Sequence, residues 1–151
     1  MIKNIALASL AVALLGGCQS TEINWQQESA VMIEQTTIEL KSSLWVDRMP
    51  KIGEASTQEE SVHAALSLES DSELPAQLEV VNVAIKQGSD TWVINSEEVD
   101  IRTHSENQWE LAFEWQIPVA IDTPVDIAIL MSNHGQETWI VEHDVNIDVV
   151  Y

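Results

Sequence analysis

The chain has 151 residues, of which 25 are acidic and 6 basic, with a single cysteine and an apolar content of 45 %. That length suits one domain, and the apolar content supports a packed core rather than a disordered chain. A formal charge of −19 argues against nucleic acid, whose phosphates require clustered Lys and Arg, and against adsorption to anionic membrane surfaces.

Lys3 gives the first residues a positive charge, and Ile5 to Leu15 (IALASLAVALL) is an apolar stretch interrupted only by Ser9. Eleven residues is the length of a signal-peptide core, and it is too short for a transmembrane helix of about 20. The stretch ends in Leu15-Gly16-Gly17-Cys18, followed at once by the polar Gln19-Ser20-Thr21. In these residues the chain resembles bacterial lipoproteins, whose lipobox is a Leu, two small residues and the cysteine that is lipidated. The resemblance implies removal of residues 1–17 and a lipid anchor on Cys18, with acyl chains contributing about 0.8 kcal/mol per buried CH₂. Gln19 rather than Asp after the cysteine implies sorting to the outer membrane of a Gram-negative envelope, with the domain facing the periplasm. The mature chain then carries 25 acids against 5 bases, a charge of −20, and no free thiol. Without a disulfide, packing alone must supply its stability.

Residues 18–30 read as the lipidated cysteine and a polar tether, and residues 31–151 as the folded domain. A flexible stretch of 18 residues, 19–36, would hold the domain roughly 23 Å from the lipid. Ile23 and Trp25 are apolar exceptions able to pack back onto the domain, and Val31 and Ile33 are able to open the first strand.

Alternation then dominates, with no helical period. Ile38, Leu40, Leu44 and Val46 share one phase, and Glu39, Lys41 and Trp45 the other. Val62, Ala64, Leu66 and Leu68 alternate with His63, Ser67 and Glu69. In Leu78–Lys86 the apolar phase slips from Leu78 and Val80 to Val81, Val83 and Ile85, which predicts a β-bulge or burial on both faces. Gly88-Ser89-Asp90 marks a turn before Thr91–Ile94. Val99, Ile101 and Thr103 make a weaker strand. Trp109, Leu111, Phe113, Trp115 and Ile117 give the cleanest alternation and are expected in the core. Val125–Met131 is a nearly continuous apolar run suited to a central strand. Asn133-His134-Gly135-Gln136 predicts a hairpin turn, and Trp139–Val141 with Val145, Ile147 and Val149 complete the pattern.

About seven or eight strands with turn signals between them predict an antiparallel two-sheet sandwich, immunoglobulin-like in strand count and spacing, with a small β-barrel as the alternative. Pro75, Pro118 and Pro124 fall in the connections, where a missing N–H is harmless.

Chemistry is sparse. With Cys18 used by the anchor, neither a cysteine-ligated zinc site nor a thiol nucleophile is available. No HExxH, GxSxG, Walker or GxGxxG pattern occurs, so the sequence predicts no enzyme and calls for no cofactor. His63, His104, His134 and His143 lack side-by-side ligand spacing and read as surface residues, with a copper or zinc pair at His134 and His143 as the alternative. Asp144, Asn146 and Asp148 share a strand face and are weak metal candidates. Calcium needs six to eight converging oxygens, and same-face strand positions stand about 6.8 Å apart, so a solvated acidic face is the plainer reading.

Trp45 lies in a polar phase, and Trp139 shares its phase with Glu137 and His143 as well as Val141. Exposed Trp on a sheet stacks on sugar rings or anchors an interface, which makes Trp45 and Trp139 the candidate interaction residues. The expected function is a membrane-anchored, non-catalytic module that binds another envelope protein. The alternative is ligand binding, to a glycan through Trp or to a divalent cation through the Asp/Asn face.

Overall fold

The computed structural model describes residues 22–48 and 61–151; Cys18, its lipobox and Met49 lie outside the described residues. The described chain forms strands β1 (Ala30–Ile33), β2 (Thr36–Asp47), β3 (Val62–Ser70), β4 (Leu78–Gln87), β5 (Asp90–Asn95), β6 (Asp100–Ser105), β7 (Gln108–Trp115), β8 (Val125–Asn133), β9 (Gln136–Val145) and β10 (Ile147–Val150), with one turn of 3₁₀-helix at Ser96–Glu98.

Two sheets result. The first, sheet A, has the order β1-β2-β3-β7-β6, with β10 also on β2; the second, sheet B, has the order β5-β4-β8-β9. Neither closes on itself, so the protein is a β-sandwich and not a barrel. With β2, β3, β7 and β6 in one sheet and β5, β4, β8 and β9 in the other, the strand order is that of an immunoglobulin-like sandwich. All pairings are antiparallel except β10 on β2, which is parallel.

The count is ten strands among the described residues, against the seven or eight expected. The additional ones are short. β1 begins at the edge of what reads as tether, and β10 is separated from β9 by Asn146 alone, so alternation runs through the break without marking it.

The phases of β2 and β3 are as the sequence predicts. Ile38, Leu40, Leu44 and Val46 face inward, with Val62, Ala64, Leu66 and Leu68 beside them, all buried. On β7, Leu111 and Phe113 are buried, and Ile117 is buried just beyond the strand. Trp109 and Trp115 are only half-buried, packed against the core from either end of β7. Those rings close the rim of the core rather than its centre.

Sheet B is buried on both faces along β4, β8 and β9, while the outward side of β5 is exposed. Val83, Ile85, Ile127, Ile129, Met131 and Ile140 fill the space between the sheets, while Ala84, Ala128 and Val141 are buried on the opposite face. Those three are cross-strand neighbours in one row. Ile23, Trp25 and Trp139 cover them, so the N-terminal segment does pack back onto the sandwich. Lys86 places its ammonium over the Trp25 ring, 5.5 Å from the centroid. Both explanations of the phase slip in β4 therefore hold. The register shifts between Val80 and Asn82, and the strand beyond is covered on two sides.

Turn chemistry fixes the hairpins. Gly135 has φ +79° and His134 +51° in the β8–β9 turn, and Glu34 and Gln35 adopt +48° and +67° in the β1–β2 turn. Positive φ at both central residues matches the twist of two-residue hairpins. Glu34 and His134, at the two hairpin tips, meet at 3.3 Å.

Candidate interaction surface

The N-terminal segment occupies the β4, β8 and β9 part of the outer face of sheet B, leaving Val93 of β5 exposed there, whereas no such segment covers the outer face of sheet A among the described residues. Its side chains follow from the registers. Trp45 pairs with His63, His63 with Glu114, and on the other side Trp45 is opposite Asp148. The Trp45 and His63 rings stack, with centroids 5.5 Å apart and planes within 10°. His63 Nε2 is 3.9 Å from Glu114 Oε1.

The next row is small. Ala65 is opposite Ala112, and Ala112 opposite Asp100. Beyond it Ser67, Glu110 and Arg102 form a third row. Low alanines between taller rows leave a depression of about 320 Å³, walled by Trp45 and His63 on one side and by Glu110 and Arg102 on the other. Arg102 Nε donates to Asp100 Oδ2 at 3.0 Å, and His104 bonds Glu110. Lys41, farther along β2, contacts Glu69 at 2.8 Å. The hydrogen bond and charge of Glu69, with Glu39 adding to them, hold the Lys41 ammonium above the usual lysine value.

β6 is the terminal strand of this sheet, and every one of its residues is exposed. Asp100 and Arg102 line the depression. Ile101 and Thr103 turn the other way, toward a groove of about 520 Å³ between the sheets, where Leu78, Val80 and Trp109 supply apolar surface and Glu79 and Glu97 carboxylates. Ile101 is 42 % exposed there.

On the opposite side of the sandwich the β2 edge is covered, with the short β1 and β10 as the outermost strands and Met32 of β1 exposed. Leu40 N–H donates to Ser29 O at 2.8 Å, Ser42 N–H to Glu142 Oε1 at 2.9 Å and Arg48 N–H to Val150 O at 2.7 Å. β1 and β10 cover the two ends of the β2 edge, and the Glu142 carboxylate takes the donor left between them. On β9, Val141 N–H donates to Glu28 O at 3.1 Å, so the N-terminal segment guards that edge too.

The other residues singled out in the sequence do not converge. Trp139 lies on the outer face of sheet B, packed like Ile23 and Trp25 against Ala84, Ala128 and Val141, opposite to the face that carries Trp45, so the two tryptophans share no ligand row. Asp144 sits at positive φ in an irregular end of β9, with its N–H donated to Asp126 Oδ1 at 3.0 Å. Asn146 falls between strands, and Asp148 belongs to β10. The three therefore do not form one strand face. His143 meets Asp126 at 3.4 Å and His134 meets Glu34, which separates the pair considered for copper or zinc. Among the described residues no group of three or more His, Cys, Asp or Glu is arranged to hold a metal ion.

Comparison with protein-family models, curated proteins and solved structures finds no match to the chain.

Proposed function

We propose that this chain is an outer-membrane-anchored lipoprotein whose acidic β-sandwich is a non-catalytic module binding another envelope protein. The observation that carries the reading is the asymmetry of the sandwich. Most of the outer face of sheet B and the β2 edge are covered by the chain's own N-terminal residues, by β10 and by Glu142, while β6 and the Trp45 depression are left open. The anchor rests on the Leu15-Gly16-Gly17-Cys18 resemblance to lipoproteins. From Cys18 to the docked Ile23 is five residues, at most about 18 Å of extended chain. A lipid at Cys18 then keeps the sheet B side of the domain near the membrane, and the open face of sheet A turns away from it, accessible to a partner.

The test is crosslinking in intact cells followed by purification of the full-length lipoprotein and mass spectrometry, with Cys18→Ala beside it. One stoichiometric envelope partner, lost in the variant, is the expected result. Absence of any partner above background refutes the reading. An unchanged outer-membrane fraction of Cys18→Ala refutes the anchor.

A ligand-binding reading draws on the stacked Trp45–His63 pair, since aromatic rings beside carboxylates suit a glycan. Trp45→Ala abolishing retention on an immobilised envelope glycan would favour it over a protein partner.

A further inference from the structure

β6 is open in its backbone as well as its side chains. Ser29 O accepting from Leu40 N–H sets the phase of the sheet: even-numbered residues of β2 point their peptide groups toward β1 and β10. Odd-numbered ones then face β3, and the registers carry the alternation across to β7. Ser70 N–H donating to Asn107 O at 3.0 Å agrees with it at the end of the β3–β7 ladder. Glu110 and Ala112 therefore exchange their bonds with Arg102 and Asp100, and the N–H and C=O groups of Ile101 and Thr103 point out of the sheet.

Each side-chain phase of this edge also meets a recess. Ile101 and Thr103 border the apolar groove, and Asp100 borders the acidic depression. A strand laid along β6 would place its alternate residues over one and then the other. The carboxylates around both recesses, Glu79, Glu97, Asp100, Glu110 and Glu114, outnumber the guanidinium of Arg102, which is already held by Asp100.

We propose that β6 accepts an extended segment of the partner as an added strand of sheet A, with an apolar residue opposite Ile101 and a lysine or arginine opposite Asp100. The proposal rests on the binding-module reading and names the partner's chemistry. Main-chain bonds to Ile101 and Thr103 give affinity, and the two recesses give selectivity. A second copy of this chain is the wrong occupant, because each mature copy carries a net charge of −20, 25 acids against 5 bases, and the two repel.

The probe is a capped, fluorescently labelled peptide alternating lysine and valine, with a glutamate–valine peptide as its counterpart, titrated into the lipoprotein in a nonionic detergent. Thr103→Pro removes an outward N–H while leaving the β6–β7 bonds intact, and proline is tolerated on edge strands. An unchanged unfolding transition confirms that this variant folds. The expected results are binding of the lysine peptide, slowed amide exchange at Ile101 and Thr103, and at least tenfold weaker binding by Thr103→Pro. Asp100→Lys should weaken the lysine peptide and strengthen the glutamate one. Failure of the lysine peptide to bind, equal binding by Thr103→Pro, or pairing of two copies through β6 without peptide overturns the proposal.

Photocrosslinking in cells separates this from failure of the binding-module reading. Met32 on β1 and Val93 on β5 are exposed apolar positions away from β6, and adducts to an envelope protein from a photoreactive residue at 32 or 93 but not at 103 would overturn the β6 site and leave the module standing. Adducts at none of the three positions would refute the module itself. Adducts at 103 support both.

Discussion

The N-terminal segment is part of the fold and not a free leash, and Trp25→Ala tests this. Ala84, Ala128 and Val141 are fully buried although they lie on the outside of sheet B, because Ile23, Trp25 and Trp139 cover them. A tryptophan presents about 200 Å² of surface, and Trp25 is half-buried. Removing about 100 Å² of contact at 25 cal/mol/Å² costs about 2.5 kcal/mol. The Lys86 ammonium over the ring adds about 0.5 kcal/mol at such an exposed site. Area bookkeeping gives an upper value, so the expected loss is about 2–3 kcal/mol, a fall in Tm of roughly 10 °C. Urea unfolding followed by circular dichroism measures it without relying on the fluorophore that was removed. Exchange of the Val141 amide, which donates to Glu28 O, reports separately on local release of the segment. A loss below about 0.5 kcal/mol together with unchanged Val141 exchange would refute the reasoning.

Glu142→Ala leaves the Ser42 N–H without its acceptor in a half-buried seam and should cost about 1–3 kcal/mol, whereas Glu142→Gln keeps an acceptor and should cost less; equal losses in denaturant melts would mean that the carboxylate is not capping the edge. Leu66→Ala, at a fully buried position between the sheets, should cost about 2–5 kcal/mol by the same assay. Gly135→Ala should cost about 1–2 kcal/mol from φ +79° alone, since the added Cβ has nothing within 4 Å; a neutral result would mean that the turn relaxes. Lys41 titrates above the ordinary 10.5 because of Glu69, so its contribution is complete below that pH and is lost as pH rises through the higher folded value; Lys41→Met should flatten the alkaline limb of the stability curve, and an unchanged limb would exclude the pair as its cause.

Period-two alternation carried most of the architecture because a sheet with one wet face writes its burial directly into the sequence. β2, β3 and β7 are such strands. Sheet B was legible as anomaly: the slip in β4 and the unbroken run of β8 mark strands covered on both sides, though alternation does not say by what. The covering residues, Ile23 and Trp25, stand among glutamines and glutamates, where two apolar side chains are too few to define a period. β6 shows the opposite failure. Val99, Ile101 and Thr103 look like a half-buried strand, yet all of Asp100–Ser105 is exposed, since pattern cannot distinguish an interior strand from an edge. Pairing across strands is equally silent in the sequence. The Trp45–His63 stack needs the β2–β3 register, and the Glu142 cap joins residues a hundred positions apart.

Unpaired backbone at a sheet edge invites adventitious pairing, and this protein treats its two lateral sides differently. On the β2 side that strand's own edge is closed by main-chain carbonyls from Ser29 and Val150 and by one carboxylate, so that only the four-residue strands β1 and β10 present an edge there. The β6 side has neither proline nor lysine among Asp100–Ser105 to discourage pairing. What protects it is charge: a copy of the same mature chain brings −20 against −20, and the repulsion acts before any hydrogen bond forms. The same field draws a basic segment in. A register shift between Thr103 and Ser105 interrupts the far end of the edge, and the rest, defended by electrostatics, is selective as well as soluble, because it rejects its own kind and admits strands of opposite charge. A proline or a covering loop at β6 would have protected the edge equally well and removed the selectivity.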